Sequence, residues 1–393
     1  MVFVLKVFAA ILIEMSLAEA DDAGISVQAE WNGRQVRTWV PAQLDRRNLS
    51  LTEPEIRATE QAAAALRDSD THVPEAWETL ARLLLRHEGI ASSGIEGLRE
   101  PVVSVLIAER TGAAGAAGWV ADNLAVIRMA HDAAHEQLSV ETLNEWHARL
   151  MRNSNLASNL IGTFRDRIGW VGGNSPLDAA YVPPPPDHIP ELMADLISFA
   201  DSDGNDPDPI TRAAVLHAQF EAIHPYGDGN GRLGRILISR ALRRASLTTR
   251  STMPISVAIA RDPGGYLSGL KLYQIGSIGP WVRWFSDVAC KAADTTKHLA
   301  AQTKQITDAW LSKLGDVRAH SAARSLAPLL VGHPVVSAQD VISLLGISQP
   351  AARSALLTLA DRGIIEPAEA RAPGAGRNRK WYAAADLISI WSY

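Results

Sequence analysis

The sequence predicts a mainly α-helical protein with a β-hairpin in its middle and a winged helix-turn-helix at its C-terminal end. Three observations carry this. Apolar residues recur at three- and four-residue spacing through most of the chain up to residue 314. Residues 163–182 break that rhythm, with glycine-rich, strand-like stretches. Residues 336–367 then read helix, turn, helix, and a Gly- and Arg-rich tip leads to a return strand. The chain has 393 residues, 47% hydrophobic and 21% charged, an ordinary globular balance with room for two or three domains. A net charge of −5 excludes a strongly basic nucleic-acid coat, though not a local basic patch. Cys290 is the single cysteine, which excludes an intrachain disulfide and a cysteine-rich metal site.

Residues 1–20 are apolar from Val2 to Ile13, broken by Lys6 and closed by Glu14. Ala18-Glu19-Ala20 could mimic a signal-peptidase site, but the apolar run ends early and is short for a membrane span. An extension, or a start placed too early with Met15 available, fits it better, and residues 1–45 are read as an N-terminal extension. No long transmembrane stretch appears elsewhere. Residues 31–40 alternate loosely as a short strand or extended arm. A helix over 52–67 follows, with Thr52 as cap and Glu53 and Glu55 in the first turn. A second covers 77–86 on a stripe of Leu80, Leu83 and Leu84, and Gly97 caps the helix end that runs through Ser92 and Glu96. Residues 46–125 make one helical region.

Residues 112–118 are small and read as a loop before helices at 120–133 and 140–151; His147, on the second, reads as a core or supporting histidine. The hairpin at 163–182 is followed by Pro183 to Pro186, a stiff connector. Helix 189–200 precedes Asp208-Pro209, an N-cap and N1 pair that opens a helix over 210–223. That helix carries His217, Gln219 and Glu221, and Gln219 is close enough in sequence to reach a nucleotide. Trp281, Trp284 and Phe285 form a core stripe, and a long helix over 294–314 bridges to the last unit at 318–393. There, residues 338–345, the turn at Gly346, and a helix capped by Ser348 and ending at Asp361 lead to a strand at Gly363-Ile364-Ile365. The tip holds Arg371, Gly374, Gly376, Arg377, Arg379 and Lys380, and Trp381-Tyr382 returns. Gln349, Arg353 and Ser354 could face a major groove while the tip arginines reach phosphates. The same module could equally dock a protein or a second copy of the chain.

The densest chemistry lies in His224-Pro-Tyr-Gly-Asp-Gly-Asn-Gly-Arg-Leu-Gly-Arg235. Gly227, Gly229 and Gly231 alternate with Asp228 and Asn230, so backbone N–H groups can turn toward one point. Such a nest at a helix N-terminus holds an anion. Arg232 and Arg235 share the first turn's face, and two guanidiniums suit a polyphosphate. Asp228 offers an oxygen ligand for Mg²⁺. His224 can act as a general base near neutral pH. Together these imply phosphoryl or nucleotidyl transfer.

This stretch resembles the signature of the Fic family, His-x-Phe-x-Asp/Glu-Gly-Asn-Gly-Arg-x-x-Arg, with Tyr226 in place of the usual Phe. The resemblance covers roughly residues 51–300. It implies an all-helical core, here at 126–300, with the hairpin as a flap that holds the target segment as an added strand. It implies AMP transfer from ATP to a hydroxyl of a protein, this chain included, with release of pyrophosphate. His224 resembles the base, Asp228 the Mg²⁺ ligand, and Gly229, Asn230 and Gly231 the anion hole. Arg232 and Arg235 resemble the arginines on the outer phosphates. Gly231, where the phosphorylating branch has lysine, favours AMP transfer. Tyr266 stands where relatives place an adenine-contacting aromatic. Ser92, Glu96 and Gly97 resemble the family's inhibitory motif, whose glutamate would pair with Arg235. The reading is thus an autoinhibited, cytoplasmic protein adenylyltransferase using ATP and Mg²⁺, with a homodimer among the states it allows. The alternatives are a DNA-binding regulator that senses nucleotide through the same fold, and removal of AMP or transfer of another phosphate-containing group.

Overall fold

A computed structural model describes residues 23–73, 78–202, 207–369 and 379–390. The leader-like residues 1–20, Trp77, and the tip residues Arg371, Gly374, Gly376 and Arg377 lie outside them. Among the described residues are fifteen α-helices and five short strands. Residues 31–40 are not one strand. Strand β1 (Gly24–Trp31) turns at Asn32-Gly33, both at positive φ, into β2 (Arg34–Pro41). Asn-Gly is the dipeptide a two-residue hairpin turn prefers. The Trp39 N–H donates to the Val182 carbonyl at 3.0 Å, which ties this hairpin to the proline connector.

Helix α1 (Glu53–Thr71) starts at the expected cap, where Thr52 and Glu55 satisfy each other's backbone groups. Helix α2 (Glu78–Ile95) runs through Ser92 and ends just before Glu96. Helix α3 (Val102–Thr111) has no counterpart among the expected elements. Residues 104–108 are all buried, so the middle of the helix shows no alternation of polar and apolar faces to read. Gly112, at φ 67°, stops it. Helices α4 (Ala116–Asp132) and α5 (Val140–Met151) follow, the latter capped by Ser139.

Residues 163–182 form a loop rather than a regular hairpin, with one antiparallel bridge, Val171↔Tyr181. Gly172 and Gly173 at positive φ bend it, and Asp178 folds back to accept the N–H groups of Asn174 and Ser175. These local bonds replace the ladder a hairpin would need. Helix α6 (Ile189–Asp201) packs on α7 (Pro209–Ile223), which is buried along nearly its whole length. Helix α8 (Asn230–Arg244) lies against α7, and α9 (Ile255–Arg261), α10 (Pro263–Gln274) and the 36-residue α11 (Ile278–Lys313) close the layer, with α1 along α11.

After α12 (Ala322–Leu329) the chain forms β3 (Val335–Ser337), α13 (Ala338–Leu345), α14 (Gln349–Asp361), β4 (Glu366–Ala368), β5 (Trp381–Ala383) and α15 (Ala385–Ser389). The sheet order is β3-β5-β4. Ser337 caps α13 and Gly346, in the left-handed region, turns the chain into α14.

Two apolar cores result. One gathers α7 with parts of α1, α4–α6 and α8–α11, including Trp281 and Phe285. The other joins Leu80, Leu83 and Leu84 of α2, the buried residues of α3, and Trp310 of α11 to Leu326, Val335, Leu356 and Trp381. Helix α2 therefore begins in the second core and ends at the signature loop. Among the described residues, no helix is long and apolar enough to cross a membrane.

Candidate active site

Helix α7 is fixed at its start by Asp208, whose carboxylate accepts the N–H groups of Ile210 and Thr211. It ends at His224, whose left-handed backbone (φ 49°, ψ 60°) turns the chain sharply into the loop. Such a conformation costs a non-glycine residue energy that its surroundings must supply. Arg165 supplies it. Its buried guanidinium donates to the carbonyls of His224 (2.9 Å), Arg167 (2.9 Å), Pro184 (2.7 Å) and Ile223 (3.4 Å). Burial pulls the Arg165 pKa down to about 10. Tyr181 adds a bond to the Ala222 carbonyl.

Tyr226 fills the core as its usual Phe counterpart would. The ring stacks on His147 at 3.9 Å, and the hydroxyl donates to Asn144 at 2.9 Å. His147 is held in one tautomer: Gly162 N–H donates to Nδ1, so Nε2 carries the proton and donates to the Asp228 carbonyl at 3.0 Å. Burial lowers its pKa to about 4. The Asn230 side chain closes the loop on itself, accepting from Tyr226 N–H and donating to the Tyr226 carbonyl, both at 2.9 Å. Asn230 thus braces the nest with its side chain. Gly229 requires its glycine twice over: its φ is +80°, and a Cβ there would lie 2.8 Å from Met151 Sδ.

Helix α8 starts at the loop, and its first two turns carry both arginines. Arg232 is 3% exposed. Its Nη2 lies 3.2 Å from Met151 Sδ, while Nε and Nη1 have no hydrogen-bond partner. Arg235 is fully engaged by α2: Nε donates to Ser92 Oγ (3.0 Å), and Nη2 to the Ser92 carbonyl (2.9 Å) and Glu96 Oε1 (2.7 Å). Burial is the largest influence and would lower the Arg235 pKa, but the Glu96 charge, Tyr266, Glu221 and the hydrogen bond to Glu96 together raise it. Burial likewise works against the Glu96 carboxylate, but the charge and hydrogen bond of Arg235, with Arg232 and His224, together take its pKa below the usual value. The Glu96 carboxylate rests directly over Gly231, where a Cβ would sit 2.1 Å from Oε1. Gly97, at φ +85°, ends the motif.

Asp228 is largely exposed at the mouth, its side chain at 64%, with Oδ1 accepting from Gly229 N–H. Among the described residues no cluster of three or more metal-ligating side chains exists. A single accessible carboxylate nonetheless fits Mg²⁺, which is typically held by one or two carboxylates together with substrate phosphates. His224 Nδ1 is buried and without a hydrogen-bond partner; burial, then Arg165, lowers the imidazole pKa to about 4. The ring is therefore neutral near pH 7.

Two expectations change here. Tyr266 is not open to stack on a base: it is 6% exposed, its hydroxyl meets His217 Nε2 at 2.8 Å, and Trp281 and Trp284 surround its ring. Gln219 is spent on structure, bonding Tyr273, Arg47 and the Ala42 carbonyl. Sequence reading missed Arg165, because a single arginine before a glycine-rich loop carries no local signal of four carbonyl partners, three of them 19 or more residues away.

The sequence model of the Fic/DOC family matches residues 137–242, which hold His224 and both signature arginines. The chain is 25% identical over 184 residues to protein adenylyltransferase fic-1 of Caenorhabditis briggsae, covering 47% of this chain and 31% of that protein. It is 30% identical over 159 residues to protein adenylyltransferase Fic of Drosophila grimshawi, covering 40% of this chain and 30% of that one. The match thus spans about a third of the length of these relatives. A solved Fic family protein from Desulfovibrio desulfuricans aligns with a TM-score of 0.52 at 20% identity, over 85% of this chain and 97% of that one. A Fic domain containing signaling protein from Bacteroides thetaiotaomicron aligns at 0.51 and 17% identity, over 62% of this chain and 97% of that one. A shared helical fold and the family-model match over the signature loop lead to one conclusion: residues 137–242 of this chain form a domain of the Fic/DOC family.

Proposed function

We propose that this protein is a protein adenylyltransferase that transfers AMP from Mg²⁺–ATP to a hydroxyl side chain of a protein and is held in check by its own α2. The observation that carries the reading is Arg232: a buried guanidinium with two unpartnered nitrogens, at the N-terminus of the helix that follows the His224 loop. A buried cation so placed is made for a polyphosphate. His224 takes the proton of the target hydroxyl, whose oxygen bonds to the α-phosphorus as the bond to pyrophosphate breaks. Gly227, Gly229, Asn230 and Gly231 offer backbone N–H groups to the phosphates, and Arg232 and Arg235 hold the outer ones. Asp228 would hold Mg²⁺, which neutralises phosphate charge when bound. The relatives named protein adenylyltransferase support AMP as the transferred group.

The Glu96–Arg235 pair at 2.7 Å supports autoinhibition, because it occupies the guanidinium that the terminal phosphate needs. The helix–turn–helix and three-stranded sheet at the C-terminal end support a winged-helix module for target or DNA contact. An ATP-using enzyme of this kind fits the cytoplasm. The test is labelling with ATP carrying isotope on the α- or the γ-phosphate. Glu96→Gly is expected to raise protein-bound α-label about 10- to 100-fold, on the scale of a charged hydrogen bond. Adding His224→Ala is expected to remove that label. Protein-bound γ-label would mean kinase chemistry, and no label in any variant would favour the nucleotide-sensing regulator. Loss of pre-attached AMP, in place of its gain, would assign the removal reaction.

A further inference from the structure

Helix α7 spends three chemically active residues on one face: His217, Glu221 and His224, spaced four and three apart. Glu221 faces helix α8 at Gly234, where a Cβ would lie 2.6 Å from its Oε1. The space that holds the carboxylate therefore exists only because residue 234 has no side chain. Glu221 Oε2 lies 3.8 Å from His224 Nδ1. Neither Glu221 Oε1 nor His224 Nδ1 has a hydrogen-bond partner. A buried carboxylate without full hydrogen bonding is costly, and packing gives no reason to prefer it over glutamine or leucine. Nδ1 is the buried ring nitrogen, which leaves Nε2 for a substrate.

We propose that Glu221 is the positioning residue for His224: on ionising, its carboxylate closes the 3.8 Å gap to Nδ1 and takes the Nδ1–H of the imidazole, fixing the tautomer with a free Nε2 lone pair. The inference rests on the reading of His224 as the base. When the hydroxyl proton passes to Nε2, the hydroxyl oxygen bonds to the α-phosphorus. Pyrophosphate leaves with the electrons of the broken bond, and the imidazolium is formed next to a negative charge. If Glu221 is protonated, it donates to Nδ1 instead, the imidazole proton sits on Nε2, and no base is available. The pair is thus active only with the carboxyl ionised.

The groups facing the pair set where that happens. Around Glu221 stand Arg235 from α8, Glu96 from α2, Tyr266 from α10, Tyr181 from the loop, and His217 from its own helix. Around His224 stand Arg165, Glu96, Asp228 and the backbone carbonyl of Glu221. Burial pushes Glu221 up to about 8, opposed by Arg235 and helped by Glu96. Transfer by this enzyme should then increase with pH across the neutral to mildly alkaline range.

The test uses the full chain carrying Glu96→Gly, with and without Glu221→Gln. The two readouts are automodification from α-labelled ATP across pH 5.5–9.5 and ¹⁵N NMR of the histidine rings. Glu221→Gln is expected to lower kcat at least about tenfold with the KM for ATP little changed, and to flatten the rise with pH. The His224 ring resonances are expected to follow the Glu221 ionisation in the parent and to lose that step in Glu221→Gln. An unchanged pH profile and an unchanged ring titration would overturn the proposal, leaving the backbone carbonyl as the group that orients the ring. The ring titration needs no transfer, so it decides the role of Glu221 even if the parent shows no label. Should Glu221→Gln fail to fold, Glu221→Asp is read instead: a slower enzyme that keeps the pH-dependent step supports the pairing, and loss of the step with the fold intact overturns it.

Discussion

At the residue scale, Arg165 decides whether the signature loop has a shape at all. Its guanidinium satisfies carbonyls on both sides of the His224 turn and on the proline connector. Replacing it by methionine keeps the bulk and removes every donor. Several buried carbonyls then lose their partners, at about 1–3 kcal/mol each for those that water cannot reach. Arg165→Met is therefore expected to lower the melting temperature clearly in circular dichroism and to reduce labelling in the Glu96→Gly background. Retention of both would mean that the loop is held by Tyr226 and Asn230 alone. The contrast with Glu96 shows what can be read from sequence. The Glu96–Arg235 pair was legible because both residues sit in recognisable motifs. Arg165 was not, because its four acceptors are backbone groups that any sequence provides. Tyr266 was misjudged for a related reason: an aromatic residue looks the same in sequence whether its ring lines a cleft or fills a core.

At the element scale, the helices with one wet face were legible, and the almost fully buried α7 was legible because Asp208-Pro209 marks its start. Helices α5 and α6 follow the expected bounds closely, because polar and apolar residues alternate around them. Helix α3 is buried on every side from Ser104 to Ala108 and escaped notice. The loop at 163–182 misled in the opposite direction: its aromatic and glycine residues read as strands, but Asp178 captures the backbone donors locally. Glu88, on α2, is another feature that only packing reveals. Its carboxyl is buried against Ser256 of α9, and burial pushes it up to about 7. A carboxyl raised in the folded state contributes its full stability below the unfolded value, near 4.5, and loses it as pH rises through the folded one. Glu221, raised to about 8, behaves in the same way. Melting temperature is thus expected to fall between pH 6 and 9, and Glu88→Gln to make that fall shallower. An identical alkaline profile for wild type and variant would show that Glu88 ionises freely in the folded protein.

At the scale of the whole molecule, burial gives the opposite dependence on the acid side. His87, His147, His224 and His333 are pushed down to about 4, and His217 to about 3. A histidine lowered in the folded state contributes stability above its unfolded value of about 6.5, which is lost as pH falls toward the folded one. Stability monitored by denaturant titration should therefore drop steeply between about pH 6.5 and 4, with several protons taken up on unfolding. A shallow, one-proton dependence would contradict it. The second core makes a further prediction. Leu80, Leu83 and Leu84 of α2 lie in the same apolar cluster as Leu326, Val335 and Trp381. Arg86 also donates to the Gly332 carbonyl at 2.7 Å, and Arg110 pairs with Asp340 at 2.9 Å. Deleting everything after Arg318 is expected to strip this face of α2 and lower the melting temperature, not to leave an untouched enzyme. A truncated chain that melts like the parent would show that the two units are independent.

The same helix has a consequence for energetics that neither core has alone. Its 18 residues, about 27 Å at the usual rise per residue, join the C-terminal unit at one end to Arg235 at the other. Linkage is reciprocal for binding free energies. If a partner of the C-terminal unit grips more tightly when α2 is drawn away from Arg235, ATP must improve that grip by the same factor by which the partner improves ATP binding. Affinity measured at either end thus reports on occupancy at the other, and cellular ATP becomes a variable in what the distant surface recognises.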